Sequence, residues 1–346
     1  MCRWRSCLTV VGVFFSALTG TFAEESSCVH RTLPVAVLAN GHVVHGLSPS
    51  DFSAKVHGRD ARIISISLDK RPHRIVILLD ASESMGGPKN ARAWDLAGDI
   101  ASQLAEANSQ NAPMALIIFS HKVLEQVDFA QGAPAIRNRL KEIRADASYV
   151  KKNVRGDTTI FDAIMTATSL LNISNSADSI YLISDGVDNQ SRFKAGDVAH
   201  ALGLTSVRLY VSLFEFIAPT VSNRPAGEGL ESIMKLSIES GGLISGPWGK
   251  SSRNGTNYNL TNDERKALSF AVTHLYGAMT NNDLLEIELP QTIQKGERLS
   301  IELSADKKAL YKNLVIAYPR ELAPCNALSH SGVSSLKNVS RLYPPL

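Results

Sequence analysis

The sequence predicts an α/β fold: a doubly wound, mostly parallel sheet inserted into a small β-domain built from N- and C-terminal strands. Three observations lead there. Four continuous apolar runs, 74–80, 114–120, 179–185 and 207–214, alternate with helical patterns, as strands buried on both faces of a parallel sheet do. Strands with strict two-residue alternation occur before and after that region, the sign of one buried face. Neither flanking set has enough strands for a stable sandwich by itself, whereas together they do.

In the N-terminal set, Pro34–Ala39 and His42–His45 flank Asn40-Gly41, a strong hairpin signal. A strand from Asp51-Phe52 to about Gly58 follows, and then Ala61–Leu68, where Ile64, Ile66 and Leu68 alternate with serines. After Arg71-Pro72 the pattern changes. Arg74–Asp80 is the first buried strand, and Gly86-Gly87-Pro88 leads into a helix carrying Trp94, Ala97, Ile100 and Leu104 on one face. Further helical patterns lie around 135–143, 161–171, 195–201 and 229–240, with a short strand at Leu243–Ser245. The last helix, Thr261–Gly277, opens with Thr261-Asn-Asp-Glu264, a capping box. Leu285, Ile287 and Leu289, then Leu299, Ile301 and Leu303, alternate as strands, and Leu314–Tyr318 is a third. The expected divisions are a leader 1–23, a β segment 28–70, an α/β domain 72–278, a second β segment 283–325 and a loose tail 326–346.

Arg3 and Arg5, the apolar run Cys7–Leu18, and Thr21 and Ala23 at peptidase positions form a secretory leader, which places the chain outside the cytoplasm, secreted or periplasmic. The run is shorter than the ~20 residues a spanning helix needs, and no later stretch is long enough either. The net charge of +3 falls to +1 once the leader and its two arginines are gone. That balance is too weak to argue for nucleic acid or an anionic membrane. Cleavage removes Cys2 and Cys7. Cys28 and Cys325 remain near opposite ends in an oxidising compartment, where a disulfide stapling the two β segments is expected, with two free thiols as the alternative.

Asp80-Ala81-Ser82-Glu83-Ser84 stands where a buried strand gives way to a loop before a helix. In open α/β sheets, ligands bind beyond the carboxyl ends of the strands. Alternate serines can aim two hydroxyls into one crevice, with the Asp80 carboxylate at its base. Gly156-Asp157-Thr158-Thr159 precedes the helix at Phe161, so Thr158 offers a third hydroxyl. Ile183-Ser184-Asp185-Gly186 ends another strand, and Asp185 offers a second carboxylate. These are hard oxygen donors, suited to Mg²⁺, or to Mn²⁺ or Ca²⁺, and not to a soft-ligand metal. The competing reading of Ser82 or Ser84 is a helix N-cap.

Asp80-x-Ser82-x-Ser84, then Thr158, then Asp185-Gly186 resemble the metal-ion-dependent adhesion site of von Willebrand factor type A domains. The resemblance covers about residues 72–278. His45-Gly46-Leu47, Asp51-Phe52, the strand into Ile63 and the short β tail are similar to a group of secreted proteins with this domain, abundant in acidobacteria. It implies a six-stranded, mostly parallel sheet with helices on both faces. It also implies that Ser82, Ser84 and Thr158 contact the metal, while one or both of Asp80 and Asp185 act through water. Glu83 departs from the family, which often has Gly there, and its carboxylate either faces solvent or approaches the metal. In the family the last helix can shift to change affinity, and here that helix leads into the C-terminal strands.

The expected function is therefore an exported, metal-dependent binding or adhesion module that recognises an acidic side chain of a protein partner. The alternative is a structural or assembly component of the cell envelope in which the metal only stabilises the loops. No nucleophile elbow, P-loop or zincin motif nominates a catalytic residue, so no enzymatic activity is expected. Arg155-Gly156-Asp157 spells an integrin-ligand tripeptide but lies inside the expected metal loop. His42 and His45 lack the partners of a zinc set and read as surface histidines.

Overall fold

The structure, a computed structural model, describes residues 29–86, 91–107, 112–171, 177–215, 227–252, 255–257 and 259–324. The leader, all four cysteines with the expected Cys28–Cys325 bond, and the tail lie outside the described residues. The chain begins with β1 (His30–Ala39), β2 (His42–Val43), a short 3-10 turn, β3 (Phe52–Val56) and β4 (Arg59–Leu68). The α/β region runs through β5 (Ile75–Asp80), α1 (Glu83–Gly86), α2 (Ala91–Glu106), β6 (Met114–Phe119), β7 (Val123–Val127), α3 (Gly132–Ala145), α4 (Ala147–Asn153), α5 (Ile160–Leu170) and β8 (Ser179–Ser184). It continues with α6 (Ala195–Thr205), β9 (Arg208–Phe214), α7 (Gly227–Ser240), β10 (Ile244–Trp248), β11 (Lys250–Ser252), β12 (Gly255–Asn257) and α8 (Asn262–Thr280). The chain then returns to strands in β13 (Asp283–Glu288) and β14 (Glu297–Leu303), followed by α9 (Ala305–Leu310), β15 (Val315–Ala317) and β16 (Glu321–Leu322).

The four apolar runs become β5, β6, β8 and β9, and every residue in them is buried. They lie in a six-stranded sheet of order β10-β9-β8-β5-β6-β7. All neighbours are parallel except β7, an antiparallel edge on β6. Alternate residues of β5 feed two cores. Ile75, Ile77 and Leu79 pack with Trp94, Ile100 and Leu104 of α2, Ile136 and Leu140 of α3, and Val272 and Leu275 of α8. Val76 and Leu78 pack with Ile160 and Ile164 of α5, Val198 of α6, and Ile233 and Leu236 of α7. Burial on both faces explains why these strands show no two-residue period.

Strands from the two ends of the chain interleave in a second sheet of order β15-β1-β13-β4-β3-β14-β16, with β2 on β1. β13 sits between β1 and β4, and β14 pairs with β3, all antiparallel. β15 and β16 stand at opposite ends of that order, yet only Tyr318–Arg320 separates them in the chain. The sheet must therefore curl until its edges approach. The Tyr318 hydroxyl accepts the Ile301 N–H at 2.9 Å across that approach. Leu285, Ile287, Leu299, Ile301 and Leu303 fill the concave side, as their alternation predicts.

In β4 the register shifts beside Ile64, because Glu286 and Ile287 of β13 face Ser65 and Ile63. A residue inserted into one strand reverses the alternation beyond it. Ile63 and Ile66 consequently both pack toward the core and Ile64 does not; Leu68 shares the face of Ile66 but, as the last residue of β4, is 49% exposed. Sequence reading also passed over β7, α4, α9 and the β11–β12 hairpin, all short. His42 is exposed, as expected of a surface histidine, and its ring meets His274 of α8 at 4.7 Å between centroids.

Candidate metal centre

β5 stands between β6 and β8, so the chain order reverses at β5 and opens a crevice beyond the carboxyl ends of β5 and β8. Asp80 is the last residue of β5, and Asp185 follows Ser184, the last of β8. Adjacent parallel strands thus bring two carboxylates from distant sequence to one place. Asp80 is fully buried. One carboxylate oxygen accepts the Ser82 N–H at 2.8 Å, and the other accepts the Ser184 hydroxyl at 2.6 Å. The first bond folds the chain back over the strand end and presents Ser82 and Ser84 side by side, with hydroxyl oxygens 3.1 Å apart.

Two further loops are stitched to this serine turn. The Glu83 N–H donates to the Gly156 carbonyl at 3.1 Å, which brings the threonine loop alongside. Gly156 has φ +83°, a left-handed conformation that favours glycine and gives a local reason for this residue in Arg155-Gly156-Asp157. The Thr158 N–H donates to Asn189 Oδ1 at 2.9 Å, and the Thr158 carbonyl accepts the N–H groups of Asn189 and Gln190. The loop after β8 is thereby tied to the threonine loop. Asp80, Ser82, Thr158 and Asp185 are all buried; Ser84 is partly so, and its hydroxyl hydrogen-bonds Asp185. Glu83, between the serines, is exposed.

The electrostatics are unbalanced. Burial, and then the neighbouring charge of Asp185, push the Asp80 carboxyl up to about 7. Burial also raises Asp185. Asp185 Oδ1 accepts the Val187 N–H at 3.1 Å, but Oδ2 is buried with no hydrogen-bond partner. Two carboxylates in a low-dielectric crevice with an orphaned oxygen favour a cation or a shared proton. Among the described residues no group of three or more His, Cys, Asp and Glu is placed to hold a metal ion. The donor set here is of another kind, two carboxylates and three hydroxyls, and its chemistry fits a hard divalent ion.

All five residues singled out in the sequence thus stand on three loops joined by hydrogen bonds. Two supporting residues were missed. Ser184 holds Asp80 across adjacent strands, and Asn189 receives the Thr158 N–H. Asp188 adds a further tie by accepting the Phe161 N–H at the start of α5.

Residues 75–187 match the family model of the von Willebrand factor type A domain. No curated protein matches the chain. Among solved structures, the chain is similar to the conserved hypothetical protein BatB from Bacteroides thetaiotaomicron, at 17% identity and a TM-score of 0.40, over 59% of this chain and 98% of that one. It is similar to an aerotolerance-related membrane protein from Bacteroides fragilis at 18% identity and a TM-score of 0.33, over 58% and 98%. A von Willebrand factor type A protein from Catenulispora acidiphila is 10% identical, with a TM-score of 0.39, over 86% and 74%. None of these likenesses bears on function. The crevice with its paired aspartates lies in the segment that the family model covers, and residues 75–187 of this chain are identified as a von Willebrand factor type A domain.

Proposed function

We propose that the chain is an exported, non-catalytic binding module that holds a divalent cation, Mg²⁺ or a similar hard ion, and uses it to recognise an acidic side chain of a protein partner. The observation that carries this reading is the orphaned, buried Oδ2 of Asp185 beside the uncompensated Asp80 carboxyl. Ser82, Ser84 and Thr158 would offer their hydroxyls to the ion, and Asp80 and Asp185 would neutralise it directly or through water. The bound ion would supply an electrophilic position at which a partner Asp or Glu carboxylate replaces water. Glu83 is exposed.

The same reading assigns the α/β region, about 72–278, as a unit set into a β-domain made from both chain ends, which the interleaving of β1, β4, β13 and β14 supports. It places the protein outside the cytoplasm on the basis of the leader-like 1–23. Among the described residues no helix is long and apolar enough to cross a membrane.

Pull-downs from envelope extract with and without Mg²⁺, using wild type and Ser82→Ala/Ser84→Ala, test the proposal. Loss of both metal and partner is expected. Loss of metal with the partner retained would favour the assembly role, in which the ion only stabilises loops. Partner capture unchanged by EDTA and by Asp80→Ala would remove the site from the binding surface.

A further inference from the structure

Helix α7 has two apolar faces and only one is covered. Ile233 and Leu236 are buried against the parallel sheet. Leu230, Met234 and Ile238 follow one another at four-residue spacing and are 37%, 39% and 48% exposed. They form a stripe of about 12 Å. A surface helix in water normally carries polar residues on the side away from its sheet. Here the stripe floors a groove of about 890 Å³, whose other wall is the β14–β16 end of the curled sheet, with Gly296, Arg298, Arg320 and Glu321. The groove rim carries both signs of charge. Lys235 pairs with Glu239 at 3.9 Å and His57 with Glu297 at 3.1 Å, so charge alone does not choose an occupant.

Position in the chain does choose one. β16 ends at Leu322, next to the Arg320 and Glu321 that line the groove, and the described chain ends at Pro324. Residues 325–346 thus follow in the chain four positions after Glu321 of the groove wall. They contain Leu336, Val339 and Tyr343 at spacings of three and four, and no acidic residue. That spacing can present one apolar face to a stripe of matching period. Leu336 lies 12 residues beyond Pro324, and a flexible tether of that length holds a segment at an effective concentration on the order of millimolar, which any separate partner must exceed. We propose that the groove between α7 and the β14–β16 edge is the seat of the chain's own C-terminal segment, with Leu336, Val339 and Tyr343 covering Leu230, Met234 and Ile238.

The test uses the full chain and a labelled synthetic peptide of residues 328–346, followed by fluorescence anisotropy. Leu336→Asp/Tyr343→Asp in the full chain should empty the groove. The peptide should then bind this variant at least about tenfold more tightly than wild type, whose own segment competes in cis. Adding Met234→Lys/Ile238→Lys should abolish that gain. These two side chains are exposed, so the lysines are accommodated without disturbing the core. Amide exchange over 227–240 should be faster in the Leu336→Asp/Tyr343→Asp chain than in wild type. Equal peptide affinity for wild type and variant, or no binding to either, would overturn the proposal. A wild-type dimer in sedimentation that Met234→Lys/Ile238→Lys dissociates would assign the groove to a second copy instead.

Discussion

Asp80 shows how a single residue couples stability, pH and ligand. Its carboxyl is pushed up to about 7, first by burial and second by the charge of Asp185. An unfolded aspartate titrates near ~3.9. Between those values the folded protein holds a proton that the unfolded chain does not, so this group favours folding below the unfolded value. That contribution is lost as pH rises through the folded value. In the proposed site a divalent ion would take the place of the proton. The gain in melting temperature on adding Mg²⁺ should therefore be small near about pH 5 and grow through about pH 7.5. A gain that does not change with pH would sever the link between ion and carboxylate. Ser184 holds one oxygen of Asp80 and lowers its carboxyl. Ser184→Ala should weaken the ion in titration calorimetry while leaving the circular dichroism spectrum unchanged. The clustering of the five proposed ligands was legible in the sequence because each is an oxygen-bearing residue at the end of a buried strand, in the loop after one, or before a helix. Ser184 and Asn189 were not, since their partners, Asp80 and Thr158, are distant in sequence and meet them only through strand pairing and loop stitching.

At the scale of elements, the serine turn depends on close backbone approach. A Cβ on Gly86, the last residue of α1, would stand 2.0 Å from Cγ1 of the buried Val154 and 3.2 Å from Cβ of Trp94. Gly86→Ala should displace the turn that carries Ser82 and Ser84 and lower ion affinity roughly tenfold or more, with about 1–3 kcal/mol lost in chemical denaturation. Full ion affinity in this variant would show that the turn adapts. Helix α8 illustrates an element legible from one end only. Thr261 Oγ1 accepts the Glu264 N–H at 3.3 Å, and Glu264 Oε2 accepts the Thr261 N–H at 2.7 Å, the capping box visible in the sequence. Thr261→Ala should cost about 1 kcal/mol in urea denaturation. The other end is held by Arg208 of β9, whose fully buried guanidinium donates to the carbonyls of Ala278 and Met279 and to Asn282 Oδ1. An arginine inside an apolar run gives no hint of that destination. β4 was misread for a related reason: a bulge is invisible in a period-two pattern until the partner strand is known.

For the whole molecule, the apolar periods forecast both sheets but not how they share a core. Ala36 and Leu38 of β1 and Ala317 of β15 belong to the same buried cluster as α2 and α8. The shared packing, with Arg208 anchoring the helix that leads into β13, predicts one cooperative unfolding transition for the two sheets. Two calorimetric peaks would show that the sheets are independent. The curl of the outer sheet could not be read from local pattern, because it follows from β15 and β16 being neighbours in the chain and opposites in the sheet. The crevice, by contrast, was legible at this scale. It stands where strand order reverses, and strand order follows from alternating strands and helices. The proposed divalent ion would rest in this crevice on Ser82, Ser84, Thr158, Asp80 and Asp185. Titration calorimetry of the purified chain with Mn²⁺, beside the Ser82→Ala/Ser84→Ala variant, tests it most directly. One saturable site is expected in the wild type and none in the equally folded variant; the same isotherm for both proteins would contradict ion binding by these residues.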